Sequence, residues 1–180
     1  MSDALSDIEF LKDVYALAGA KYKPVKIRTL LLAEAPSDNL ERYFYFEDVK
    51  RQDSLFLEMT GVLYPELKRR YLQSGRKTEL KEGLLYLLRD DGYWLMNVSQ
   101  VSLNISKTTL EDCLPDLLQR LQKTIDKKTP VLLIKANVYD LCYSFLLEHG
   151  YNVINERLPF PGSGQQRVFR EKFAKVIGAE

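Results

Sequence analysis

Three short runs constrain this chain more than anything else in it. They are Ile27-Arg28-Thr29-Leu30-Leu31-Leu32-Ala33, Tyr93-Trp94-Leu95-Met96-Asn97-Val98 and Val131-Leu132-Leu133-Ile134. Each is β-compatible, is bounded by a turn signal (Pro24 and Pro36, Asp90-Asp91-Gly92, Pro130), and is apolar at consecutive rather than alternate positions. A strand of that kind has to be covered on both faces, as in a mainly parallel sheet between helix layers. Tyr151 to Glu156 reads as a fourth strand. The expected fold class is therefore α/β, a three-layer α/β/α sandwich around a mainly parallel four-stranded central sheet. With 180 residues and neither repeats nor low-complexity tracts, one domain over 1–180 is expected.

The intervening segments carry helical periodicity. Ser6-Asp7-Ile8-Glu9 has capping-box spacing ahead of a stripe of Ile8, Leu11, Val14, Tyr15 and Ala18. Asp53 to Thr60, Pro65 to Gln73 and Thr78 to Arg89 form three further pieces punctuated by Gly61, Pro65 and Gly75. Thr108 with Glu111 offers a second capping box for a long amphipathic helix reaching Ile125, kinked or restarted at Pro115. Asn137 is the expected cap of the next helix, which stops at Gly150, and Arg167 to Ile177 forms the last.

Composition excludes several classes. An apolar share of 46% beside a charged share of 28% is that of an ordinary soluble protein, and no apolar run approaches a membrane span. The opening Met1 to Asp13 is acidic and helix-like rather than a basic-then-apolar leader, so cytoplasmic residence is the default expectation. Cys113 and Cys142 lack metal-site spacing and sit on apolar helical faces, where buried free thiols are expected. The lone histidine, His149, falls in a last helical turn and suits a capping role. No metal, cofactor or membrane partner is expected. The net charge of +1 provides no global field, so any nucleic-acid binding has to rest on a local patch. The densest basic cluster, Lys68-Arg69-Arg70 with Arg76 and Lys77, reads as a solvated face.

In such sheets the ligand site lies beyond the carboxyl ends of the strands. Three unusual segments fall there: Glu34-Ala35-Pro36-Ser37, Asn97, and the loop Leu158-Pro159-Phe160-Pro161-Gly162-Ser163-Gly164-Gln165. The four consecutive aromatics Tyr43-Phe44-Tyr45-Phe46 cannot all point into one core, so one or two remain to line a pocket. In this order the segments resemble the three site motifs of the uracil-DNA glycosylase superfamily. Ala33-Glu34-Ala35-Pro36-Ser37 is similar to its G-E-A-P-G motif at the three central positions. Asn97 stands where that family reads the Watson–Crick edge of a flipped base. Leu158 to Ser163 matches its H-P-S-P-L-S loop at both prolines and the final serine.

The resemblance implies a fold of that family over about residues 27 to 175, a flipped base held by Asn97 and stacked on an aromatic among Tyr43, Phe44 and Tyr45, and DNA as partner. It implies water positioning by Glu34. Two departures bear on catalysis: the loop's histidine, which would stabilise the departing base, is Leu158, and the acid of the G-Q-D-P-Y branches is Ala35. Losing such a donor costs on the order of 100-fold or more in rate, so glycosylase activity is expected to be weak or lost. Phe160, between two prolines, is the expected wedge between base steps. Backbone N–H groups of Gly162 to Gln165, aided by Arg167, are the expected phosphate contacts. The alternative is a generic α/β domain that binds a small phosphorylated ligand or a protein partner.

Overall fold

The computed structural model describes residues 2–179, the side chains of residues 2–4 and 163 excepted. Helix α1 (Ser2–Lys21) leads through a short linker to β1 (Thr29–Ala33), after which α2 (Ser54–Leu63), α3 (Pro65–Gln73) and α4 (Thr78–Asp90) precede β2 (Tyr93–Asn97). Short α5 (Leu103–Ser106), α6 (Leu114–Thr124), β3 (Val131–Leu133), α7 (Ala136–Glu148) and α8 (Gln166–Ile177) complete the order.

Among the described residues the sheet has three strands, all parallel, in the order β2-β1-β3. Central β1 pairs Leu31 with Leu95 on one side and with Leu132 on the other. Period-two alternation then assigns the faces. Leu31, Ala33, Leu95, Leu132 and Ile134 pack with α2, α3, α4 and α8. Leu30, Leu32, Met96, Val131 and Leu133 pack with α6 and α7. Helices thus cover both faces, and removing each such leucine from water contributes about 1.5–3 kcal/mol. Gly92 makes the tight entry to β2 possible: its φ is +85°, and a Cβ there would meet Arg28 Cγ at 2.6 Å.

The fourth strand is reduced to one parallel bridge between Val131 and Val153. Burial alternates only from Tyr151 to Val153, and the phase is lost at Ile154 and Asn155. The backbone curls after Val153 because Glu156 N–H bonds to the Ile154 carbonyl at 3.0 Å, and the ladder ends. Four local expectations also shift. Helix α1 begins at Ser2, so Ser6 lies inside it and caps nothing. Thr109, rather than Thr108, makes the reciprocal bonds of a capping box, with Asp112. Helix α6 starts afresh with Pro115 in its first turn. Lys135, not Asn137, occupies the N-cap of α7. His149 does serve the C-terminus of α7, with Nδ1 2.7 Å from the Phe145 carbonyl. Cys142 is buried, but Cys113 lies half-exposed in a single 3-10 turn. No described helix is long and apolar enough to cross a membrane.

Candidate functional site

A cleft of about 560 Å³ opens beyond the carboxyl ends of the three strands. Its walls come from Ala33 to Asp38 after β1, Asn97 at the end of β2, Ile134 and Lys135 after β3, the start of α2, and Phe160. The distant segments singled out in the sequence therefore converge on one hollow. The chain order reverses across β1, which has β2 on one flank and β3 on the other. Such a switch point leaves a crevice, because successive connections depart to opposite faces.

Asn97 is the last residue of β2, in register with Ala33. Its main chain is fixed by Arg120 on α6, whose Nη1 donates to the Asn97 carbonyl at 2.9 Å and whose Nη2 donates to the Val98 carbonyl at 2.5 Å. Asp116 accepts from Nε of the same guanidinium at 2.7 Å. Asn97 lines the cleft, and its side-chain amide, by contrast, makes no hydrogen bond among the described residues. An amide held by its backbone and open at its side chain offers one acceptor and two donors to a ligand.

The aromatic run divides as its crowding requires. Tyr43 and Phe44 line the cleft. Tyr43 packs on Tyr15 of α1 with ring centroids 4.3 Å apart, and burial pushes its phenol well above the ordinary tyrosine range. Phe44 stands edge-on to Tyr45 at 5.0 Å and to Phe56 at 5.9 Å. Tyr45, expected among the stackers, is instead buried behind this wall. Its hydroxyl donates to the Leu95 carbonyl at 3.2 Å and accepts from the Leu95 N–H at 2.6 Å.

Glu34 lies on the cleft wall with both carboxylate oxygens engaged, one by Lys135 Nζ and the other by Asn137 Nδ2 at 2.7 Å. Lys135 adopts φ +89°, a conformation that side chains rarely take, at the end of β3. Pro36 is buried beneath Ala35 and Ser37, and Asp38 accepts from Ser102 Oγ and from Asn104 Nδ2 at 2.7 Å. Those two bonds hold the Asp38 carboxyl below the usual aspartate range and tie the loop after β1 to α5.

In the loop, Phe160 is 36% exposed and lines the cleft. Its neighbour Gly162 makes that pose possible, since a Cβ at 162 would lie 2.6 Å from Phe160 Cε1. Pro161 opens a 3-10 turn that ends at Gly164, whose φ is +78°. Pro159, Gly164, Gln165 and Arg167 are not on the cleft wall; Arg167 is exposed and paired with Glu171 at 2.8 Å. The side chain of Ser163 lies outside the described residues, and Gln165 occupies the N-cap of α8. Leu158, at the position of the motif histidine, is 0% exposed in the core.

Sequence reasoning missed three wall-forming residues, Lys135, Arg42 and Asp53, and with them Lys81, the buried partner of Asp53 behind the wall. Lys81 is 0% exposed and donates to Asp53 Oδ2 at 2.7 Å. Burial raises the Asp53 carboxyl above its ordinary value, with Lys81 and Arg76 pulling against it. It lowers the Lys81 ammonium, with Asp53 pulling the other way. The signal was available, since Lys81 takes the first position of the stripe Lys81, Leu84, Leu85, Leu88. Arg42 faces the cleft with a buried, unpartnered Nε. Among the described residues no cluster of three or more His, Cys, Asp or Glu is arranged to hold a metal ion. No family model, curated protein or solved structure matches this chain.

Proposed function

We propose that this cleft receives a nucleobase flipped out of a nucleic acid, DNA in the first instance, in the manner of the uracil-DNA glycosylase superfamily that the motifs resemble. The observation that carries the reading is the free Asn97 amide, anchored by Arg120 and facing a hollow walled by Tyr43 and Phe44. At about 560 Å³ the cleft falls in the range of small-ligand sites. An amide presents a donor and an acceptor side by side, which complements the adjacent carbonyl and N–H of a uracil-type edge. Aromatic rings give the base a stacking surface, and Phe160 between its prolines fills the vacated stack.

Recognition dominates over chemistry in this reading. Leu158 is turned into the core and does not aid a departing base, and Ala35 has no acidic group to position a water. Lys135, at the third strand-end, provides the cation nearest in kind to the missing donor, and Glu34 holds it in place. Release of free base is correspondingly slow.

The test is equilibrium binding of oligonucleotides carrying uracil, an abasic site or no lesion, read by fluorescence anisotropy at two salt concentrations. Phosphate contacts make affinity fall with salt. Asn97→Ala and Phe160→Ala each weaken lesion binding by about 5-fold or more, from roughly 1–3 kcal/mol per base contact. Lesion binding unchanged by both substitutions, or no binding at low salt, overturns the proposal. A second reading, a small phosphorylated ligand, draws on Arg42 and Lys135 in the same wall. Free nucleotide competing more strongly than the oligonucleotide would favour it.

A further inference from the structure

One group in the cleft wall has no part in base recognition as drawn above. Asp53 immediately precedes α2 and lines the cleft, although only 9% of its surface is exposed. One oxygen, Oδ2, accepts from Lys81 Nζ at 2.7 Å. The carboxylate makes no N-cap bond to α2, and Oδ1 takes no hydrogen bond among the described residues. Oδ1 is also not among the sealed, unsatisfied atoms, so solvent reaches it on a residue that lines the cleft.

Keeping this pair is costly. Lys81 is sealed against the Phe56 ring, 4.6 Å from its centroid. Apolar residues in place of a buried ion pair are often neutral or stabilising. Two strained residues flank the arrangement: Gln52, next to Asp53, has φ +56°, and Arg76, close enough to act on its charge, has φ +62°. Non-glycine residues in the left-handed region cost free energy and concentrate at functional sites. Glu34, the other carboxylate considered for water, has neither oxygen to spare.

We infer that Asp53 is the carboxylate that orients and deprotonates the water attacking the sugar, with buried Lys81 as the residue that positions it. The inference rests on the proposed reading of the cleft as a nucleobase site and adds a hydrolytic step to it. The water oxygen forms a bond to the sugar C1′ while the C1′–N bond breaks, and that bond's electron pair leaves on the base. The water proton passes to Asp53 Oδ1 and from there to solvent. The departing base, with its negative charge offset by Lys135, takes a proton from solvent.

The groups that set the state of Asp53 come from every element around it. They are Lys81 on α4, Arg76 before it, Tyr71 on α3, and, acting through Lys81, Glu47. Burial holds the Asp53 carboxyl above the ordinary range, so release of base should rise with pH through an ionisation displaced upward from a free aspartate.

Binding and chemistry are measured separately. Binding uses an oligonucleotide with 2′-fluoro-2′-deoxyuridine, which resists cleavage; chemistry uses single-turnover release of uracil between pH 5 and 9. Asp53→Asn alone strands the Lys81 charge, so the decisive variant is Asp53→Asn with Lys81→Met, which removes both charges. It should bind within about 3-fold of the unaltered protein and release uracil at least about 100-fold more slowly, with the pH rise abolished. Lys81→Met alone should bind normally but move the pH rise upward, since the cation that favours the carboxylate is gone; a merely structural role would not shift it. Unaltered protein that binds but releases no uracil above a blank overturns this inference and leaves the base-binding reading in place. So does a double variant that releases uracil at the unaltered rate. Failure of the unaltered protein to bind overturns both.

Discussion

Leu158→His would place an imidazole at the position where the resembling family carries one, and the structure gives the outcome. Leu158 is 0% exposed and packs in the core cluster with Leu31, Leu132 and Phe169. Loss of the leucine's burial costs about 1.5–3 kcal/mol, and a ring N–H without a partner adds about 1–3 kcal/mol. A net loss of about 2.5–6 kcal/mol follows, or a fall in Tm of roughly 5–24 °C for a chain of this size. The sign of the pH dependence follows as well. A buried imidazole stays neutral, so its folded pKa drops below the unfolded value of about 6.5, and the unfolded chain alone takes up a proton below that pH. Above about pH 7 no further penalty arises; by pH 5 the variant loses about 2 kcal/mol more. Urea unfolding at pH 8 and pH 5, each against the unaltered protein, reads both quantities. A variant within about 1 kcal/mol of the unaltered protein, titrating near 6.5 and releasing uracil faster, would show that residue 158 faces the cleft and refute its place in the core.

Gly162→Ala sets a methyl group 2.6 Å from Phe160 Cε1, so the ring must leave its pose; lesion binding should fall towards that of Phe160→Ala while Tm stays within about 3 °C, and equal binding would show that the pose does not matter. Cys142 is buried, its thiol pushed up to about 12, so a thiol reagent at pH 8 should label Cys113 in the native protein and reach Cys142 only in urea. Asp38 is held below its ordinary 3.8 by Ser102 and Asn104, so the tie from the β1 loop to α5 is intact above that pH and is lost as pH falls through the lower folded value. Amide exchange around residues 36–39 and 102–104 should accelerate only in that acid window, and Ser102→Ala should remove the dependence.

The sheet and the convergence of its ends were legible because consecutive apolar residues leave a strand few alternatives. Pro36 and Asn97 could be assigned to one end of the molecule on that ground alone. What escaped depended on tertiary choices. The apolar stripe marks Lys81 as inward-facing but does not reveal its partner, since Asp53 joins it from another element, 28 positions away. Leu158 reads as one more loop residue until the turn of the backbone directs it inward. The fourth strand failed because the chain bends after Val153. Tyr45 was indistinguishable from its aromatic neighbours until the Leu95 main chain engaged its hydroxyl.

The bond between Lys135 and Glu34 joins residues 101 positions apart, and central β1 must wait for β3 before its second edge is paired. On the ribosome, then, β1 emerges with a bare edge long before its partner is synthesised. Pairings so remote in sequence are slow to form and leave strand edges exposed to other chains meanwhile. A nascent chain stalled before residue 131 should be sticky and ligand-blind, and competence should appear abruptly once the segment through Phe160 has cleared the exit tunnel.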